Sequence, residues 1–540
     1  MRSKHSVIAA SLAVLWAVGC FVFFQFFYKY HLVHRLDLQL FLYSQEYWLS
    51  YFNHPAWLAS LSGDFLSQFF YFEIGGPLVV TLSILSVGGL FFLSTGRIFC
   101  TLSHDKGRKS SLCFLIRVVA SLALMSWEAL RNCGMEYKLA STFSLIGGIA
   151  LFLLYVATPS RFRYVSGVVL LIASYWLFGY GIWALLILLL IYELSLRKVL
   201  PVILYFVVFV LTPVLLRQSY LLTWKQAFSY PATSFWNKPN LMLEKLLTLD
   251  VLSASGNWNS VALMTEKNDL KFGLWAYFYN LSHGLRGDLP YQLMNHHQPG
   301  PLGLLIQLSP TTSSLAIWSS NEAWFQLGDM TMAEHSALLG MIFSPDHRSA
   351  RMVKRLAEIN MVNGDMTATL KYLRMLQKTW LYKSWADQRI PGKEGAAVKT
   401  WLQKKRAFVA KSDTLRDAVN PAISLRLLLD SNRENKLALD YLLCYDLLKK
   451  NISAFMADYD KYKLPKREVP EEIYAQGLLI GLSQRNATAD EVKTYQIVPN
   501  VFADFQNYTA LYEKDSFGRA YLVQQFGKTY WFYFHFATFK

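Results

Sequence analysis

The sequence predicts an all-α chain in two parts, a polytopic helical membrane domain followed by an α-solenoid outside the membrane. Three observations carry this. Hydrophobic residues make up 53% of the 540, and the long apolar runs are confined to residues 1–217. Those runs approach the ~20 residues that a helix needs to cross the hydrocarbon. Beyond Arg217 they shorten to the length of a soluble helix, and glycines recur at intervals of 31, 41 and 36 residues. A chain this long exceeds one ordinary core, so division into domains is expected.

Seven spans are expected, near residues 6–27, 74–94, 111–127, 140–158, 164–179, 180–195 and 199–217. The fifth and sixth share one apolar run, with a turn at FGYG (178–181); one long tilted helix is the rival. Arg2 and Lys4 precede the first span. Arg97, Lys106, Arg108 and Lys109 follow the second, Arg161 and Arg163 the fourth, and Arg197 and Lys198 the sixth. Basic loops stay in the cytoplasm, and seven spans put every cluster on that side, whereas six would split them. The amino terminus is then inside, and residues 31–72 and everything after 217 are outside. The first apolar segment has no small-residue cleavage site, so it reads as a retained anchor. Arg117, within the third span, reads as snorkelling to the near interface.

Residues 31–72 lie between the first two spans and are too polar to cross. Their aromatic and aliphatic residues suit surface helices, folded back on each other near Asn53-His54-Pro55. Asp37, Glu46 (mid-helix) and Asp64 sit among them. Glu128, beside Trp127 at the outer end of the third span, faces the same side. Residues 218–239, with their aromatics and two prolines, suit a connector hugging the outer interface.

From residue 240 to 540 the chain reads as helical hairpins. Gly256-Asn257, Gly287-Asp288, Gly328-Asp329 and Gly364-Asp365 punctuate them. Each pair must stack on its neighbours to bury its apolar face. NEAWFQLGDMTMAEHSALLGMIFSP and RLAEINMVNGDMTATLKYLRMLQK are the clearest units and resemble tetratricopeptide repeats. The following helix is expected to pack closely at Gly364.

Lys plus Arg total 53 against 37 acidic residues, a net charge of +16. Residues 1–217 hold 16 basic and 8 acidic, the remainder 37 and 29. No basic run interleaves with aromatics, so no nucleic-acid partner is expected. Cys20, Cys100, Cys113, Cys133 and Cys444 form neither a CxxC pair nor a disulfide framework, and read as spectators.

Residues 355–387 (RLAEINMVNGDMTATLKYLRMLQKTWLYKSWAD) and 435–448 (NKLALDYLLCYDLL) resemble an uncharacterised family of multi-spanning membrane proteins from Bacteroidota. That family has a tetratricopeptide-like carboxy-terminal half. The terminal GKTYWFYFHF and the early LQLFLYSQEYWLSYF fit it too, so the likeness covers nearly the whole chain. It implies a bacterial cytoplasmic membrane with the carboxy-terminal domain in the periplasm, and it implies no activity. The amino-terminal half is also similar to GT-C glycosyltransferases, which use polyprenyl-phosphate sugars. There an acid after the first span serves as base or metal ligand, and Asp37 holds the matching position.

Sugar transfer needs a carboxylate to take the acceptor's proton and cations to offset leaving-phosphate charge. Asp37, Asp64 and Glu128 are the candidate catalytic acids. Arg35, Gln39 and Arg131 are the candidate substrate-binding residues. The plainer reading makes Asp37, Glu46 and Asp64 the wet face of interfacial helices and Glu128 an interfacial anchor. His296 and His297 point to different faces and have no ligand at metal spacing, so no metal site is expected. No cofactor is expected, save a divalent metal under the transferase reading. Two functions stand: an envelope protein that sits in the bilayer and binds a protein partner through its repeats, or a transferase using a lipid-linked sugar donor.

Overall fold

The computed structural model describes residues 2–102, 109–268, 270–411, 416–417, 419–514 and 519–538. All of their regular structure is helical, in 29 α-helices and short turns. Two compact units form. The first is Met1–Lys245 with Arg348–Ala350 and Arg374–Ala386, and the second takes the rest.

The first unit begins with α1 (Arg2–Val22), followed by the surface stretch α2 (Lys29–Asp37), α3 (Gln45–Ser50) and α4 (Trp57–Ser67). The bundle follows as α5 (Gly75–Leu102), α6 (Lys109–Asn132), α7 (Ala140–Ala157), α8 (Arg163–Phe178), α9 (Gly181–Ser195) and α10 (Val199–Ser219). Among the described residues, five segments are long and apolar enough to cross a membrane: Val7–Phe27, Gly75–Thr101, Ser111–Asn132, Ala140–Ala157 and Val199–Ser219. The run at 164–195 is two helices, not one. Gly179 between them takes a left-handed φ of +54°, a conformation that a side chain disfavours. At 16 and 15 residues, α8 and α9 rise ~24 and ~22 Å, short of the ~30 Å hydrocarbon. They nonetheless run the depth of α7. Tyr180 at their turn meets Ser141 in the first turn of α7, and Glu193 near the end of α9 meets Tyr155 near the end of α7.

Glycine lets α7 and α9 touch backbone to backbone, as small residues do between apolar helices. A Cβ on Gly148 would overlap the Gly181 carbonyl oxygen, and one on Gly181 would overlap that of Ser144. Gly63 of α4 likewise sits against the Ala140 amide. The surface stretch folds back on itself, with the Tyr51 hydroxyl donating to Asp64 (2.8 Å).

Glu46 stands exposed in the first turn of α3, not mid-helix. Arg117 Nη2 donates to the Phe92 carbonyl of α5 (2.8 Å), its guanidinium lies over the Phe92 ring, and Gly96 leaves the room. Lys106 and Arg108, which helped to count the spans, lie outside the described residues.

The connector holds a short helix, α11 (Trp224–Ser229), and is tied to the bundle. Trp183 donates to the Phe228 carbonyl and Tyr175 to that of Ala227 (both 3.0 Å). The chain then enters α12 (Leu241–Ala254).

The second unit continues with α13 (Trp258–Glu266), α14 (Gly273–Arg286), α15 (Leu289–Gln292), α16 (Ser314–Leu327) and α17 (Met330–Ile342); α18 (Ala350–Asn363) and α19 (Met366–Gln377) follow. Gly256, Gly287, Gly328 and Gly364 all have positive φ between helices, as glycines that end helices do. Asn257, Asp329 and Asp365 then accept from an amide three residues on, so the Gly-Asx pairs end one helix and start the next. The expected close packing at Gly364 is absent, because a Cβ there would meet nothing within 4 Å. No solenoid is identified, and α14 and α15 pack against the distant helices Lys436–Leu448 and Glu472–Gln484.

Candidate functional site

The last turn of α6 carries three polar residues into an apolar bundle. Glu128, Arg131 and Asn132 each have 0% exposure. Burial of a charge this deep requires a partner and hydrogen bonds, and the spacing i, i+3 supplies the first: Arg131 Nη1 to Glu128 Oε2, 2.8 Å. Glu128 Oε1 also accepts from Thr142 Oγ1 (2.7 Å) and from the Tyr137 hydroxyl. Arg131 Nη1 donates again to the Tyr180 hydroxyl (2.9 Å), which donates to the Ser141 carbonyl (2.7 Å). One carboxylate thus joins α6, the 133–139 loop and the start of α7, and Arg131 adds the α8–α9 turn.

The other edge of Arg131 is different. Nε and Nη2 are buried without a hydrogen-bond partner. Four rings surround the guanidinium: Trp127, Tyr137, Tyr180 and Phe235, at 4.6, 5.1, 5.4 and 5.5 Å. The connector brings Phe235 there. Trp127 Nε1 donates to the Phe235 carbonyl (3.1 Å), and Asn237 Nδ2 to that of Arg131 (2.8 Å). Gly134 leaves space for Asn237.

Trp127, Tyr180 and Phe235 also line a cavity of about 470 Å³, with Phe91, Leu124, Ile149, Trp183 and Ile187 among the other walls. Its exposed wall is wholly apolar. The polar knot lies behind one end of it, screened by rings.

Arg35 of α2 approaches the same knot. It lies over the Tyr137 ring at 5.5 Å, and Nη1 donates to the Asn132 carbonyl (3.5 Å). No carboxylate pairs with it among the described residues, and desolvation pulls its guanidinium down to about 10. One turn earlier, burial and the Arg35 charge hold His31 well below its usual value, so it is neutral. Glu244 closes the amino-terminal end of α2 by accepting from the Tyr30 and His31 amides (2.7 and 3.2 Å). Burial pushes its carboxyl up to about 7.

That shift has a sign. A carboxyl raised from 4.5 to about 7 binds its proton more tightly folded than unfolded, so its contribution is complete below about pH 4.5. It is then lost as pH rises through about 7, on the order of 3 kcal/mol in all. Glu244→Gln keeps an acceptor for both amides and removes the charge. The variant should melt higher than the wild type at pH 8 and lose that advantage by pH 5, measured by thermal unfolding in detergent.

The sequence-derived candidates therefore divide. Glu128, Arg131 and Arg35 come together. Gln39 and Asp64 form a second group, with Gln39 Nε2 donating to the Asp64 carbonyl (3.0 Å) and the Ser67 hydroxyl donating to Gln39. Asp37 ends α2, and its carbonyl accepts from Ser349 Oγ (2.8 Å). It lines neither the large cavity nor the water-sized one of about 10 Å³ beside Gln39. Tyr137, Thr142, Tyr180, Phe235 and Glu244 were missed. Each reads locally as an interfacial aromatic, a turn residue or a helix's first-turn acid. The one available signal was Glu-x-x-Arg at the end of an apolar helix, a spacing that pairs charges on one face.

Residues 4–537 match a family described as being of unknown function, DUF6057. No curated protein and no solved structure matches the chain.

Proposed function

The chain belongs to the DUF6057 family, which has no function to pass on, and we propose from its own geometry that the first unit binds a lipid, seating an apolar chain in the cavity beside Arg131. The observation that carries this is the cavity itself. About 470 Å³ falls within the roughly 300–1,000 Å³ range of ligand pockets. Its walls come from α5, α6, α7, α9 and α11, three of which are long and apolar enough to cross a membrane. The medium at this depth is hydrocarbon. An empty apolar volume forgoes dispersion contacts that a lipid chain would make.

The transferase reading draws support from the gathering of Arg35, Glu128 and Arg131. Against it, both Glu128 oxygens already accept hydrogen bonds from donors in the knot, which suits a scaffold better than a base. A repeat surface that binds a protein partner remains the reading for the second unit, supported by its four glycine-ended helices. Cytoplasmic basic loops support an outward carboxy terminus. With α8 and α9 crossing, or with both dipping and returning, Arg97, Arg161 and Arg197 fall on one side.

The test fills the cavity. Ala184 lines it, and Ala184→Trp places an indole inside. Wild-type protein in detergent should be labelled saturably by a photoactivatable diacyl lipid, with the adduct mapping to α7, α9 or α11. The variant should lose saturable labelling while melting within a few degrees of the wild type. Undiminished labelling of a folded variant contradicts the proposal.

A further inference from the structure

We infer that the lipid in this cavity carries an anionic phosphate headgroup, bound at two points by the Nε/Nη2 edge of Arg131 once Phe235 moves aside. This rests on the lipid reading above and adds the chemistry of the headgroup.

The guanidinium is half used. Nη1 serves Glu128 and Tyr180. Nε–H and the parallel Nη2–H form the edge that fits two oxygens of one phosphate or carboxylate. Both are buried without an acceptor, in a side chain with 0% exposure. Charged donors left in this way are costly unless a ligand completes them. Three of the four rings around the guanidinium are cavity walls, so a chain lying in the cavity brings its polar end to that edge.

The local charge agrees. Arg131 and Arg35 share one acidic partner, Glu128, across Tyr137. Glu244, at the amino-terminal end of α2, carries only part of a charge near neutral pH, and His31 is neutral. The knot therefore has an excess of positive charge in a dry setting, where an anion is favoured and a neutral headgroup leaves two donors unmet. Phe235 is the movable wall. It belongs to the connector rather than to a helix, and its carbonyl is held by a single indole bond from Trp127.

The experiment uses full-length protein in dodecyl maltoside with two photoactivatable probes of identical chains, a phosphatidic acid and a diacylglycerol. Saturable labelling should be at least about tenfold tighter for phosphatidic acid. Arg131→Lys keeps the charge beside Glu128 but loses the planar edge, and should narrow that ratio to within about threefold. Phe235→Ala opens the wall and should widen it. It also serves as the deciding variant if Arg131→Lys fails to fold. Equal affinities, or a ratio untouched by Phe235→Ala, overturn the headgroup inference and leave lipid binding standing. Saturable labelling by neither probe overturns lipid binding itself. Displacement of phosphatidic acid by millimolar inorganic phosphate would mark a free-anion site instead and overturn the inference.

Discussion

Replacing Glu128 with Ala should destabilise the protein by about 3–5 kcal/mol, the usual cost of leaving one member of a buried ion pair alone. The reason lies in the count of partners. Glu128 holds Arg131, Thr142 and Tyr137. Its loss strands a guanidinium whose second edge already lacks an acceptor. The double variant Glu128→Leu/Arg131→Met should recover most of the loss, since apolar residues of similar volume often replace such a pair at little cost. Thermal unfolding of Glu128→Ala, and of Glu128→Leu, Arg131→Met and their double variant read as a cycle, checks this. A single variant costing under about 1 kcal/mol would mean that the pair is hydrated, and the dry knot would be wrong.

Gly148→Ala should cost about 1–3 kcal/mol or more, although it adds only a methyl group. The added Cβ would overlap the Gly181 carbonyl oxygen and crowd its carbon at 2.9 Å. These are backbone atoms that no rotamer can move, so α9 must separate from α7. Because Trp183 and Ile187 of α9 wall the cavity, the variant should also weaken lipid labelling. Gly89→Ala is the control. It sits in α5 with nothing within 4 Å of the added carbon, and alanine favours the helix, so it should be neutral or slightly stabilising. Equal melting temperatures for the two variants would show that the α7–α9 contact is looser than described.

Elements were legible in the sequence where the signal was local. Apolar runs marked the bundle, FGYG marked the turn at Gly179, and the Gly-Asx pairs marked four helix ends by a conformation that glycine permits. Charged residues were also conspicuous singly, so Glu128, Arg131 and Arg35 stood out before any contact was known. What joins them was not legible. Tyr180 lies 49 residues from Arg131, and Phe235 is 108 residues from the tryptophan that holds it. Such contacts are set by how helices pack, and neither period nor spacing encodes them. Glu244 escaped because it reads as the start of the repeat half, whereas its carboxylate caps a helix more than two hundred residues earlier. Asp37 is the opposite case. Its position after the first span drew attention, yet the large cavity forms elsewhere, between helices whose walls carry no charge.

The most direct measurement is an electron cryo-microscopy map of the full-length protein purified in a mild detergent, at a resolution where ordered lipids are visible. Lipid binding predicts continuous, elongated density between Phe91, Ile149 and Trp183, unexplained by the chain and ending near Phe235. A cavity of the same size, empty while lipids are resolved around the bundle, would contradict it.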